Sequence, residues 1–177
     1  LLSWPLPYTP YRHQAEAFAR LRSVDDLGNP RRPLPTLVTT GTGSGKTESF
    51  LFPILDHVVR AKRAGQQGVK ALILYPMNAL ANDQAARLAT LITSQPELGA
   101  VTAGLYTGQD TVQRTKVTSE GLITDRSLMR SAPPDILLTN YKMLDQLLLR
   151  HEDANIWKLS ATSLQYLVLD EFHTYDG

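Results

Sequence analysis

The sequence predicts an α/β fold, a mostly parallel β-sheet with helices on both faces. Three observations predict it. Short apolar or β-branched runs recur along the chain, segments of helical character separate most of them, and a glycine-rich loop leads from the first run into a helix. At 177 residues the chain is long enough for one sizeable core. An apolar fraction of 42% with 20% charged residues is ordinary globular composition and excludes a disordered or fibrous chain.

The elements follow in order. After a Pro-rich entry, YRHQAEAFARLR (11–22) has helical composition, and DDLGNPRRPLP (25–35), with three prolines and a glycine, is loop. TLVTT (36–40), ALILYP (71–76), VTAGLYT (101–107) and DILLTN (135–140) are expected as buried strands, and YLVLDE adds another near the end. Leu51, Ile54, Leu55 and Val58 share one helix face, with Arg60, Lys62 and Arg63 near its C-terminal end. Pro53 should kink that helix or cost it a hydrogen bond. Leu80, Ala81, Gln84, Leu88, Leu91 and Ile92 predict a second amphipathic helix, and Met143, Leu144, Leu147 and Leu148 a third. Residues 110–134 are the least periodic part, a surface excursion with a short helix near Arg126 to Arg130.

Charge and composition narrow the function classes. Eighteen Lys plus Arg oppose 17 Asp plus Glu, so no overall basic footprint announces a nucleic-acid binder. No cysteine is present, which rules out disulfides and thiolate metal sites. The four histidines do not cluster at metal-ligand spacing. No apolar run approaches the roughly 20 residues that span a bilayer, and LLSWPLPYTPYRHQ lacks the basic start of a signal peptide. A cytoplasmic protein without membrane partners is expected.

The chemistry begins at TTGTGSGKT. In a parallel sheet, functional loops lie at the C-terminal ends of strands, and Gly41, Thr42, Gly43, Ser44, Gly45, Lys46 and Thr47 occupy such a place. Glycines let backbone N–H groups turn toward an anion, Lys46 supplies charge for the β and γ phosphates, and Thr47 supplies a hydroxyl for Mg²⁺. Thr40 stands where the general phosphate-loop pattern has glycine. Some 120 residues downstream, YLVLDE sets Asp170 at a strand's C-terminal end, suited to Mg²⁺, and Glu171 beside it, suited to orient or deprotonate water.

LVLDEFHTYDG resembles motif II of superfamily 2 helicases in a DEAH-like form, with Phe172 where alanine is usual, and TGTGSGKTES resembles their motif I, in which Thr40 is no anomaly. YRHQAEA resembles the Q-motif region, YPMNALANDQ motif Ia and GLYTGQD motif Ib, with PPDILLTNYKML the segment after it. The combination is most similar to bacterial DEAD/DEAH-box helicases of the DNA-repair and phage-defence type. The resemblance implies a RecA-like P-loop lobe over 36–177 behind a Q-motif-like region over 1–35. It also implies ATP and Mg²⁺ as cofactors, Gln14 as adenine reader and His173 as a coupling residue between nucleotide and strand. The nucleic acid is placed on Pro76, Met77 and Asn78, on Thr107 and Gly108, and on Thr139, Asn140 and Tyr141. Asn78 and Asn140 are also ordinary helix N-caps. Asn78 and Ala79 replace the Arg and Glu of RNA-remodelling members, so DNA is favoured over RNA.

The family pattern continues after motif II with a second RecA-like lobe that supplies arginine fingers, so the sequence reads as the first lobe alone. SAT at 160–162 resembles motif III but precedes Asp170, and is coincidence. The expected function is an ATP-dependent helicase or translocase acting on single- or double-stranded nucleic acid. A double-strand translocase that does not unwind and a non-hydrolysing nucleotide switch or scaffold are the alternatives. Glu171 argues against the second, which needs no water-activating carboxylate.

Overall fold

A computed structural model describes residues 6, 8–41, 43–109 and 111–174. Its internal contacts divide the chain into two units, 1–64 and 65–177.

In the first unit, helix α1 (Arg12–Leu21) buries Gln14, Ala17 and Phe18, an i, i+3, i+4 stripe. Phe18 packs on Phe52, ring centroids 6.1 Å apart, and Phe52 on Tyr8 at 6.2 Å. Helix α2 (Lys46–Arg63) follows the glycine-rich loop, buries Ile54, Leu55 and Val58, and places Arg60, Lys62 and Arg63 in its last turn, against the negative end of the helix dipole. The helix runs on through Pro53, which withholds the N–H that the Ser49 carbonyl would accept.

Residues 36–40 differ from expectation: they form no strand. Pro33 and Pro35 remove donors from the approach, and local bonds hold the segment instead. Leu34 N–H donates to the Arg20 carbonyl (2.9 Å), and the Arg20 guanidinium donates to Pro35 O (2.8 Å) and Thr36 Oγ1 (3.2 Å). Leu37, 77% exposed, buries nothing that a sheet position would require.

The second unit is built on four parallel strands, β1 (Ala71–Tyr75), β2 (Ala103–Tyr106), β3 (Ile136–Asn140) and β4 (Tyr166–Leu169), in the order β2-β3-β1-β4. Every residue of ALILY is buried, as a central parallel strand requires. Ala71 stands opposite Ile136 on one side and Tyr166 on the other. Between strands lie α3 (Asn78–Ser94), α4 (Arg126–Ser131), α5 (Tyr141–Leu149) and α6 (Ala154–Leu159), with short 3₁₀ turns at 96–98 and 151–153, and a third turn at 172–174 follows β4. Leu72, Leu74 and Leu137 cluster with Met129 of α4, Met143 of α5 and Ile156 of α6. Helix α3 packs along β1, β2 and β3 through Ala81, Ala85, Leu88, Ala89 and Ile92, all outside that cluster. The expected stripe included Leu80 and Leu91, which are only half-buried; Ala85 and Ala89 are buried in their place.

The strand starts are tied by one buried ion pair. Lys70 Nζ lies 2.7 Å from Asp135 Oδ1, while Asp135 Oδ2 accepts from Thr102 N–H (2.8 Å) and Thr102 Oγ1 (3.0 Å). Lys70 N–H donates to the Asp135 carbonyl, and the Lys70 carbonyl accepts from Gln165 and Tyr166 N–H. Residues just ahead of all four strands are thereby pinned together.

Candidate nucleotide site and nucleic-acid loops

In the first unit, the glycine-rich loop turns on Gly43 (φ +75°) and Gly45 (φ +73°), both in the left-handed region open to residues without Cβ. Gly45 is the N-cap of α2, so Lys46 and Thr47 open an 18-residue helix and stand half-buried at its positive end. Ser44 Oγ donates to Thr40 Oγ1 at 2.6 Å, closing the loop on itself, and Gly41 is exposed. Thr42 lies outside the described residues.

Two side chains of α1 reach this loop. His13 Nε2 is 2.8 Å from the Ser44 carbonyl, and Gln14 Nε2 donates to the Gly45 carbonyl at 3.0 Å. Gln14 Oε1 accepts from Tyr11 N–H at 2.9 Å, and the side chain is 1% exposed. The fit depends on Gly45: a Cβ there would lie 2.2 Å from Gln14 Nε2. The Gly45 carbonyl also accepts from Ser49 N–H, the first bond of α2.

In the second unit, Asp170 follows β4 and is buried. Its N–H donates to the Leu74 carbonyl at 3.1 Å, and its Oδ1 accepts from Glu171 N–H at 3.0 Å. Glu171 has φ +51°, the sole positive value at a non-glycine among the described residues. A left-handed residue with a Cβ costs about 1–2 kcal/mol, and such strain concentrates at functional sites. Glu171 Oε2 stands 3.5 Å from Nε2 of the exposed His173.

The three expected nucleic-acid loops all lie at the C-terminal end of the sheet, as parallel topology dictates. Asn140 caps α5, its Oδ1 accepting from Met143 N–H at 2.8 Å, and its Nδ2 donates to Asn78 Oδ1 at 2.5 Å. Asn78 itself is not a cap: Met77 holds that position of α3 and offers no side-chain bond. Pro76 is half-buried, and Met77, Gly108 and Tyr141 are exposed. Thr139 is buried and donates to the Tyr106 carbonyl at 2.6 Å, which takes its hydroxyl away from any ligand. Thr107 is buried too, and among the described residues its Oγ1 has no partner.

Sequence reasoning missed what shapes the loop after β2. The Arg126 guanidinium lies 4.9 Å from the Tyr106 ring centroid and donates to the Thr107 carbonyl at 2.7 Å. The Tyr106 hydroxyl donates to Asp153 Oδ1 (2.8 Å), which also accepts from Arg130 Nε (2.8 Å), and Arg130 Nη2 donates back to the Tyr106 oxygen (3.1 Å). Burial pushes the Tyr106 hydroxyl pKa up, and the bond to Asp153 adds to it. The bond to Asp153 raises that of Arg130. A cavity of about 210 Å³ beside Thr107 is lined by threonines 111 and 124, glutamines 109 and 113, and Arg126. The one signal in the sequence was the i, i+4 spacing of Arg126 and Arg130 on a short helix.

A family model described as DEAD/DEAH box helicase matches residues 11–177. Druantia protein DruE of Escherichia coli is 29% identical over 95% of the chain, and the chain covers 14% of that protein. The ATP-dependent helicase hrq1 of Schizosaccharomyces pombe is 29% identical over 94% of the chain and 13% of its own length. The ATP-dependent helicase YprA of Bacillus subtilis is 30% identical over 94% and 18%. The chain thus spans less than a fifth of each of these relatives.

Proposed function

Because the chain belongs to the DEAD/DEAH box helicase family, we propose that it forms the first RecA-like lobe of an ATP-dependent helicase or translocase, binding Mg-ATP and the backbone of single-stranded DNA. The observation that carries the reading is the phosphate loop. Two left-handed glycines precede Lys46, and Lys46 opens a long helix, so backbone N–H groups, the helix dipole and an ammonium act on one anion. Lys46 neutralises the β and γ phosphates. The Thr47 hydroxyl and the Asp170 carboxylate are hard oxygen donors of the kind Mg²⁺ takes together with substrate phosphates, and the ion would offset charge on the transferred phosphoryl group.

Glu171 orients the attacking water or takes its proton. Its left-handed backbone supports a role for which strain is worth keeping. His173, close to Glu171 and exposed, couples hydrolysis to the bound strand. Gln14, whose amide also bonds the Tyr8 hydroxyl, reads the adenine edge as a carboxamide that can both donate and accept, once the base displaces the cover over it. Met77, Gly108 and Tyr141, exposed on neighbouring loops, suit sequence-independent contact with sugar and phosphate, while Pro76, Asn78, Thr107, Thr139 and Asn140 shape the loops that present them. A second lobe completes the ATP site and supplies the arginine finger. Asn78 and Ala79, in place of Arg and Glu, favour DNA.

Isothermal titration with Mg-ATP tests the core of the proposal. Lys46→Ala should weaken binding at least tenfold, one lost charge-assisted contact being about 1.5–3 kcal/mol. Equal affinity in parent and variant removes the phosphate loop from the mechanism.

A further inference from the structure

We propose that His13 is a positioning residue of the phosphate loop, holding the Ser44 carbonyl turned toward α1 so that the Gly45 N–H faces the bound phosphates. The inference rests on the nucleotide-binding reading and concerns what keeps the loop ready.

The peptide unit is planar and trans, so the Ser44 carbonyl and the Gly45 N–H point in opposite directions. Whatever holds the carbonyl aims the N–H. The carbonyl can only accept, so His13 Nε2, at 2.8 Å, carries the hydrogen, which it does in the neutral Nε2–H tautomer as well as in the imidazolium.

The loop needs such help. Gly43 and Gly45 at φ +75° and +73° leave the peptide planes around Ser44 free to swing, because glycine has no steric bar to other conformations. Ser44 spends its own hydroxyl on Thr40 and fixes the far side of the loop, not this plane. The next carbonyl, that of Gly45, already belongs to α2 through Ser49 N–H, so the Gln14 bond reinforces a plane the helix has set. His13 acts one peptide earlier, where the helix does not reach.

The imidazole is itself held. It stacks on the Tyr11 ring with centroids 5.8 Å apart and planes within 10°. Tyr11 N–H is in turn fixed by Gln14 Oε1. Orientation therefore passes from the first turn of α1 to the loop through a rigid ring, without the rotamer freedom of a Lys or Arg in that place.

The test separates a hydrogen-bond donor from a mere filler of space. His13→Phe keeps a flat ring for Tyr11 and removes the donor. His13→Gln removes the ring and places an amide N–H at a similar reach. Affinities for Mg-ATP and Mg-ADP are measured by titration calorimetry, and thermal midpoints of each variant show that the fold is kept. His13→Phe should bind both nucleotides about tenfold more weakly, the loss of one N–H aimed at a charged group. His13→Gln should stay within about threefold of the parent. Should the Phe variant not fold, His13→Met, also without a donor, carries the same comparison.

Equal affinities for parent and donor-less variant overturn the positioning role, and so does an equal loss in the Gln variant. A parent chain that binds no Mg-ATP at all overturns the nucleotide reading itself.

Discussion

Replacing Lys70 by Met removes one end of the ion pair that joins the strand starts. Both partners are nearly inaccessible, Lys70 at 1% and Asp135 at 2%, so the remaining carboxylate stays in a dry place. Asp135 Oδ2 keeps its two bonds from Thr102, but Oδ1 loses the ammonium 2.7 Å away. Breaking a buried pair from one side costs about 3–5 kcal/mol. For a unit of roughly 110 residues, each kcal/mol lowers the thermal midpoint by about 4 °C, so the expected fall is about 12–20 °C. Scanning calorimetry or urea titration of parent and variant reads it directly. In the double variant Lys70→Met, Asp135→Asn, the charge is gone and the amide oxygen can still accept from Thr102, so most of the loss should return. A single variant within about 1 kcal/mol of the parent would refute the claim that this pair anchors the sheet. A double variant as unstable as the single one would show that the cost is steric rather than electrostatic.

Two further outcomes are expected. Glu171→Gln should abolish phosphate release in the full-length protein and change little in this chain alone, since an arginine finger from a second lobe contributes about 10³–10⁵ in rate; brisk DNA-stimulated turnover by the chain by itself contradicts the two-lobe reading. Binding of single-stranded DNA by the chain should be weak, indifferent to sequence and strongly reduced by salt in fluorescence anisotropy, because backbone contacts dominate; tight, salt-insensitive binding to one sequence points to another kind of reader.

Elements whose period or composition was strong were legible in the sequence. ALILYP and DILLTN are strands because continuous apolar runs suit positions buried on both sides, and the helix after GTGSGKT followed from Leu51, Ile54, Leu55 and Val58. TLVTT has the same composition and is not a strand. Composition describes a willing residue, whereas a strand needs a partner, and the described residues offer 36–40 none. The loop residues of the candidate site were legible because chemistry restricts them: few residue types can replace Gly45 at φ +73° beside Gln14. Tyr106, Arg126, Arg130 and Asp153 were not legible. Their meeting spans β2, α4 and the 3₁₀ turn before α6, and ordinary tyrosine, arginine and aspartate carry no mark of long-range partners. The left-handed backbone of Glu171 was equally silent, since nothing in DEFH prescribes it.

Parallel topology also sets the order in which the molecule can come into being. Lys70 and its partner Asp135 are 65 residues apart, and Ser163 donates to the carbonyl of Val69 across 94 residues. The central strand is therefore the first to be synthesised and the last to be enclosed. At roughly 5–20 residues per second, ALILY waits about 5–20 s after leaving the ribosome before the β4 segment follows it out. During that interval five apolar residues and their backbone groups have no native neighbour on the β4 side. Contacts so distant in the chain also make folding slow once synthesis is complete. The newborn chain thus exposes for a time, as a hazard of misassociation, a pentapeptide that the finished sheet buries at every residue, and yield on expression should respond to temperature and to chaperone supply.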